Sequence, residues 1–328
     1  MEMSITGTNA ITFPTLHVWD WRIAIYLFLG GLAGGLMAMS AVSELRAASK
    51  SGKDTTKSAC SWPIPLLAFI LLSIGLFFLW MDLERKLQVF RFYLNFQPYS
   101  PMSWGGWLVL ALHPPLILYA FASVPEEIKA RMKDGFLKSI VNATQPHLLK
   151  LARINFVFGI LLAVYTGILL STFVARPLWN SAILPVLFLT SALSTGAAVM
   201  IIMSKKKETK LFFTKMDIWL IFAEILVLLL FFYGHYTGDA VHRQAIMPFF
   251  NSSHEFFPYF LSIATLGIVL PLAIVFKFLE VTAKHTDELT TSGLFLMNAS
   301  AILVLLGGLV IRFAMVYAGQ LSGYAGIM

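Results

Sequence analysis

Trp21-Arg-Ile-Ala-Ile-Tyr-Leu-Phe-Leu-Gly-Gly-Leu-Ala-Gly-Gly-Leu-Met-Ala-Met-Ser-Ala-Val-Ser-Glu-Leu45 has one charged side chain near each end and an unbroken apolar centre. A helix needs roughly 17–25 such residues to cross a hydrocarbon core about 30 Å thick. Seven further stretches share this character: Pro63–Met81, Trp104–Val124, Ile154–Phe173, Ile183–Met203, Ile218–Tyr236, Tyr259–Leu279 and Leu294–Tyr317. With 58% hydrophobic and 12% charged residues and a mean hydropathy of +0.77, the composition excludes a soluble fold. The sequence predicts an all-α integral membrane protein: eight transmembrane helices in a single polytopic domain over residues 1–328, expected as two four-helix bundles.

Lys and Arg residues set the orientation. Seventeen follow the odd-numbered stretches, at Arg46–Lys57, Lys129–Arg153, Lys205–Lys215, Lys277 and Lys284. Six lie on the other side, at Arg22, Arg85, Lys86, Arg91, Arg176 and Arg243, and Arg312 falls inside the eighth stretch. Both termini are therefore expected outside (periplasmic), with the basic loops in the cytoplasm, in a bacterial or archaeal cytoplasmic (inner) membrane. The net charge of +7 follows from this topology and gives no reason to expect nucleic acid as a partner. Residues 1–20 lack a basic n-region and an apolar core, so the first stretch is expected to be a retained helix rather than a leader. Cys60 is the only cysteine. One thiol cannot make an intrachain disulfide, an iron–sulfur site or a c-type haem attachment.

The glycine pairs Gly30/Gly34 and Gly31/Gly35 have the spacing that lets helix backbones approach closely. Leu27-Phe-Leu29 is echoed by Leu187-Phe-Leu189, and Tyr165-Thr-Gly167 by Tyr317-Ala-Gly319. Such echoes fit a duplication with halves near 1–180 and 181–328. Glu224 and Arg312 lie at membrane depth, where ionisable groups are costly and default to functional candidates. They read either as a pair or proton path, or as structural hydrogen-bonding groups. His113, before Pro114-Pro115, reads equally as a core histidine or a ligand. Haem b needs two imidazoles at matched depth, and His235 lies too near the outer end to match His113; His17, His242 and His254 are in loops.

Towards the outer side, Tyr26, Asp82, Tyr165, His235 and Asp239 occupy similar depths. A quinone pocket needs apolar walls, hydrogen-bond donors for two carbonyl oxygens, and a carboxylate or imidazole that exchanges protons with water. Taken singly, a tyrosine at this depth reads as an interfacial anchor.

Several segments together resemble one family. The Trp21–Gly35 stretch is similar to the first helix of NrfD/polysulfide-reductase membrane subunits. Asp82-Leu-Glu-Arg-Lys86, Phe92-Tyr93 and Ser100-Pro-Met-Ser-Trp-Gly-Gly-Trp107 resemble that family's link between helices two and three. Tyr165-Thr-Gly-Ile-Leu-Leu-Ser171, Ala175-Arg-Pro-Leu-Trp-Asn-Ser181 and Leu184-Pro-Val-Leu-Phe188 resemble its fourth helix, outer loop and fifth helix. The likeness is dense over the first 200 residues and then rests on span count and Arg312 to Gly319.

The resemblance implies a subunit without its own haem or iron–sulfur cluster that exchanges electrons with menaquinone or ubiquinone. Its expected partner is a ferredoxin-like four-cluster iron–sulfur protein, with a molybdopterin subunit or multihaem cytochrome c beyond it. Tyr26 and Tyr165 correspond to the family's quinone-lining positions. No motif here matches the family acid after helix six; Asp239 is chosen by depth, with His235 beside it. Proton movement through the bundle would draw on Asp82, Glu224 and Arg312. Two other readings stay open from sequence, a transporter with a midplane cavity and a purely structural anchor.

Overall fold

The computed structural model describes residues 19–51, 62–284 and 291–323. Cys60, His17, Lys53 and Lys57 lie outside them, as does the side chain of Lys284. The described chain is helical, and eight of its helices are long and apolar enough to cross a membrane. They are α1 (Trp21–Ser51), α2 (Ile64–Asp82), α3 (Pro101–Ala122), α4 (Leu148–Ser171), α5 (Leu184–Met203), α6 (Lys207–Thr237), α7 (Phe257–Lys277) and α8 (Thr291–Leu321).

Close backbone contact at glycine builds the centre. A Cβ on Gly34 would meet the Gly159 carbonyl of α4 at 2.7 Å, and one on Gly35 would meet the Ala192 carbonyl of α5 at 1.9 Å. α1 is thus wedged between α4 and α5, and those two also pack on each other. Dispersion and close approach supply this adhesion, since apolar burial drives little between helices already in lipid. α2 lies on α1, and α3 on α4; likewise α6 lies on α5, and α7 on α8.

Two proline sites behave differently. Pro114 and Pro115 sit within a continuous α3, where the Asn155 side chain of α4 donates to the Pro115 carbonyl at 2.9 Å. In α7 the turns at Ile263–Val269 widen into a π-helix just before Pro271. Proline lacks the N–H and crowds the carbonyl four residues back, so the wider turn accommodates it. Ser300 of α8 donates to the Pro271 carbonyl at 3.2 Å, and Gly307 lies against Gly267, where a Cβ would come within 2.2 Å of the Gly267 Cα.

α6 starts eleven residues earlier than its apolar core at Ile218 suggests, because Lys210, Thr214 and Asp217 are buried on the stripe that also carries Glu224. Glu224 therefore lies near the middle of its helix rather than a third of the way along the span.

The loop between α4 and α5 is clamped. Buried Arg176 donates to the carbonyls of Gln320 and Ser322 at 2.8 and 2.9 Å, and the Trp179 indole donates to Met315 at 2.6 Å. Trp19 stacks on Trp179 at 5.2 Å, and the Gln320 side chain exchanges two hydrogen bonds with the Trp19 backbone. The Arg-Pro-Leu-Trp-Asn string is thus a strap fastening this loop to the end of α8.

Candidate functional site

At the ends of α1–α4 that face the residue 83–100 connection, the helices splay around a cavity of about 540 Å³. That volume falls in the range of small-molecule sites, and the walls are mainly apolar, with Ile23, Leu27, Leu76, Leu79, Val109 and Leu170 among them. Tyr26 of α1 and Tyr165 of α4 are both buried and contribute to the lining, with Asp82 at the end of α2. The connection after α2 covers the cavity with Arg85, Gln88, Arg91 and Tyr93.

The position of Tyr165 depends on a glycine. A Cβ on Gly105 would lie 1.9 Å from the Tyr165 hydroxyl oxygen, so the α3 backbone at Gly105 is the shelf on which the phenol rests. Asp82 is held by Arg22, whose Nη2 is 3.2 Å from Asp82 Oδ1. The same guanidinium donates to the Met81 carbonyl at 3.0 Å and, through Nε, pairs with Asp20 at 2.8 Å. A carboxylate thus borders a mainly apolar cavity and is tied to the first turn of α1.

The structure brings Tyr26, Tyr165 and Asp82 together and leaves His235 and Asp239 elsewhere. His235 is buried on α6 with Nδ1 2.8 Å from the Phe231 carbonyl and Nε2 3.2 Å from the Pro177 carbonyl, so it props the Arg176–Trp179 strap. Asp239 is the exposed N-cap of the helix Ala240–Phe250, accepting from the His242 backbone N–H at 2.9 Å and pairing with its imidazole at 2.6 Å. Those contacts hold its carboxyl below the usual carboxylate value, the backbone N–H first and the imidazole second.

Glu224 and Arg312 form a second region at mid-depth in the other half. Arg312 lies over the Phe188 ring at 4.0 Å and donates to the Phe188 carbonyl at 3.1 Å. Glu224 and Arg312 attract each other without a direct ion pair among the described residues. Glu224 Oε1, Ser191 Oγ and Arg312 Nε and Nη1 have no hydrogen-bond partner among those residues. One heptad below Glu224, buried Asp217 accepts from Ser194 at 2.7 Å; one heptad further, Lys210 donates to Asn298 at 2.8 Å. Sequence reasoning missed Asp217 because it began the span at Ile218, just beyond it, although the seven-residue spacing from Lys210 through Asp217 to Glu224 was there to read. It also missed Arg22, Asp20 and Gly105, whose partners lie far along the chain. Among the described residues no three His, Cys, Asp or Glu side chains converge as a metal site.

An eight-helix membrane bundle with an apolar cavity at one end of its first four helices is the architecture these observations define. The family described as "Polysulphide reductase, NrfD" matches residues 9–322, and the chain belongs to it. It is 30% identical to Protein NrfD of Escherichia coli (strain K12), over 97% of this chain and 99% of that protein. It is 28% identical to the C component of polysulfide reductase from Wolinella succinogenes, over 92% of this sequence and 94% of that one. The C component of tetrathionate reductase from Salmonella typhimurium matches over 40% of this chain at 32% identity. The chain is accordingly a multi-pass bacterial membrane protein of a family whose members include reductase subunits.

Proposed function

We propose that this chain is the membrane-anchoring, quinone-interacting subunit of a respiratory oxidoreductase complex, exchanging electrons between menaquinone or ubiquinone and an iron–sulfur partner docked outside. The observation that carries this reading is the apolar cavity bordered by two buried tyrosines and one carboxylate. Its walls suit a quinone ring and the start of its tail, and Tyr165 on the Gly105 shelf is a fixed donor for a carbonyl oxygen. Tyr26 supplies a second phenol, and Asp82 a group that takes and releases protons.

The named relatives include subunits of polysulfide and tetrathionate reductases, which supports placing this chain in a comparable assembly. The partner is a ferredoxin-like four-cluster iron–sulfur subunit, with a molybdopterin or multihaem cytochrome c subunit beyond. When bound, the quinone supplies two-electron, two-proton redox chemistry; the chain supplies binding, orientation and proton exchange. Glu224 and Arg312, with Asp217, supply buried ionisable groups for proton movement through the second half.

Quenching of intrinsic tryptophan fluorescence by a menaquinol analogue tests the reading on the purified chain. Saturable binding should weaken about tenfold in Tyr165→Phe, the order expected for a donor to a buried acceptor. In the assembled complex the same variant should assemble normally and turn over quinol slowly. Absence of saturable binding in the unmodified chain would end the proposal.

A further inference from the structure

Beside the apolar cavity lies a second one of about 510 Å³, more polar in its walls, formed where the start of α1 meets the end of α8 and the residues before α7. Asp20, Glu255, Tyr259, Tyr317 and Gln320 border it. Two features join it to the first cavity. Trp19 is a wall of both. Arg22 grips a carboxylate of each: Asp82, bordering the apolar cavity, through Nη2 at 3.2 Å, and Asp20, bordering the polar one, through Nε at 2.8 Å. Arg22 is also anchored to the Met81 carbonyl, so the guanidinium is fixed at the corner between α1 and α2.

We infer that Asp82, Arg22 and Asp20 form the proton exit of the apolar cavity, and that the polar cavity is the vestibule into which it discharges. The inference rests on the quinone reading above and names a route that His235 and Asp239, held elsewhere, do not offer. The chemistry follows from the residue types. Oxidation of one quinol releases two electrons and two protons, and the electrons leave for a one-electron acceptor in the docked partner. Asp82, a carboxylate that lines the cavity, takes the two protons in turn from the two quinol hydroxyls, passing on the first before it takes the second. Arg22 stays charged throughout and passes no proton itself. It holds the two carboxylates in line, so that a proton on Asp82 moves by way of water to Asp20 and the vestibule. Reduction of quinone runs the same path in reverse. Arg85, Arg91, Tyr26, Tyr93 and Tyr165 also face the apolar cavity. None of these five borders the polar one, whereas Asp20, at the far end of the three-residue chain, does.

The test uses the chain in its native membrane complex, with a menaquinol analogue as probe. Asp82→Asn should bind the analogue within about twofold of the unmodified protein yet turn it over at least about tenfold more slowly, in line with loss of a proton-transfer group. Asp20→Asn, which acts through Arg22, should slow turnover by a smaller factor, about threefold. Small weak acids such as formate, or the variant Asp82→Glu, should restore part of the rate. An independent readout is the reduced-minus-oxidised infrared difference spectrum, in which a protonated-carboxyl band should be present and should vanish in Asp82→Asn. Unchanged turnover in Asp82→Asn, or slow turnover that neither formate nor Asp82→Glu relieves, would overturn the relay while leaving quinone binding intact. Loss of analogue binding by the unmodified complex would instead remove the quinone reading itself.

Discussion

The two halves of the molecule share a packing plan and differ in what they enclose. α1 touches α2 and α4 as α5 touches α6 and α8, with α3 on α4 and α7 on α8. In the first half the connection-side ends of the helices stand apart around the apolar cavity. In the second half the rings of Phe231, Phe232, Phe249, Phe256 and Phe260 pack together, at centroid distances such as 5.9 Å (Phe232–Phe249) and 5.8 Å (Phe232–Phe260), and the cavity beside them is the more polar one. The second half instead carries Asp217, Glu224 and Arg312, all buried, at mid-depth. The first half encloses an apolar space near its end, and the second borders a more polar one and holds charge at its centre. Tyr165 and Tyr317, at echoed positions in the sequence, line the two different cavities. The difference teaches that a shared arrangement of helices constrains the site very little; the side chains at a few lining positions decide whether a ligand fits.

The seam between α1 and α5 is where a single added side chain does most damage. Gly35→Val puts side-chain atoms into the Ala192 backbone, which cannot move without parting α1 from α5. Overpacking of cores costs about 1–3 kcal/mol, and contact with backbone rather than a flexible side chain should reach or exceed the upper end. The variant should fail to accumulate in membranes, whereas Gly30→Ala, whose Cβ meets only a Thr166 methyl at 3.8 Å, should melt like the unmodified chain. Equal thermal midpoints in detergent for the two would mean the halves are not held by this seam.

Next in size is the charge in the second half. Arg312→Ala removes a guanidinium packed on Phe188 and leaves Glu224 buried without its cation. Breaking a buried charge pair costs about 3–5 kcal/mol when both partners are in direct contact, and the absence of a direct pair here points to the lower end. The thermal midpoint should fall while analogue binding by the folded fraction stays within about twofold. If binding were lost with the fold intact, the two halves would be one site.

The first half is tested by Gly105→Ala, which asks the opposite question. The added methyl displaces the Tyr165 hydroxyl and should lower analogue affinity about tenfold, equivalent to about 1.4 kcal/mol, with little change in midpoint. Affinity unchanged by that methyl would show that the phenol does not need the shelf.

The span count was legible because hydrophobic length is dictated by the bilayer, whatever the helices pack against. The glycine contacts of α1 were legible as spacing, but not which helices they meet, since Gly159 and Gly196 lie more than a hundred residues away. Tyr26, Tyr165 and Asp82 could be grouped by depth alone because all three sit near the ends of their helices. Depth misled for His235 and Asp239, because it says nothing of direction around the helix axis. The buried stripe of α6, repeating through Lys210, Asp217, Glu224 and Phe231, carries His235 into the core of the second half. Arg22 was counted as an orienting charge; its bridge between Asp20 and Asp82 depends on a fold that brings the ends of α1 and α2 together.

The smallest effect belongs to Asp239, a loop acid that borders neither cavity. Asp239→Ala removes an N-cap, for which about 0.5–2 kcal/mol is usual, and the exposure of this side chain favours the lower end. Analogue binding should not change. The pH dependence follows from the direction of its shift: the folded carboxyl is more acidic than the unfolded one, so its contribution is complete above the ordinary carboxylate value. That contribution fades as pH falls through the lowered folded value. The difference in thermal midpoint between unmodified chain and variant should therefore be present at neutral pH and shrink in acid. A difference that is flat from neutral to strongly acidic pH would show that the cap contributes through packing rather than charge.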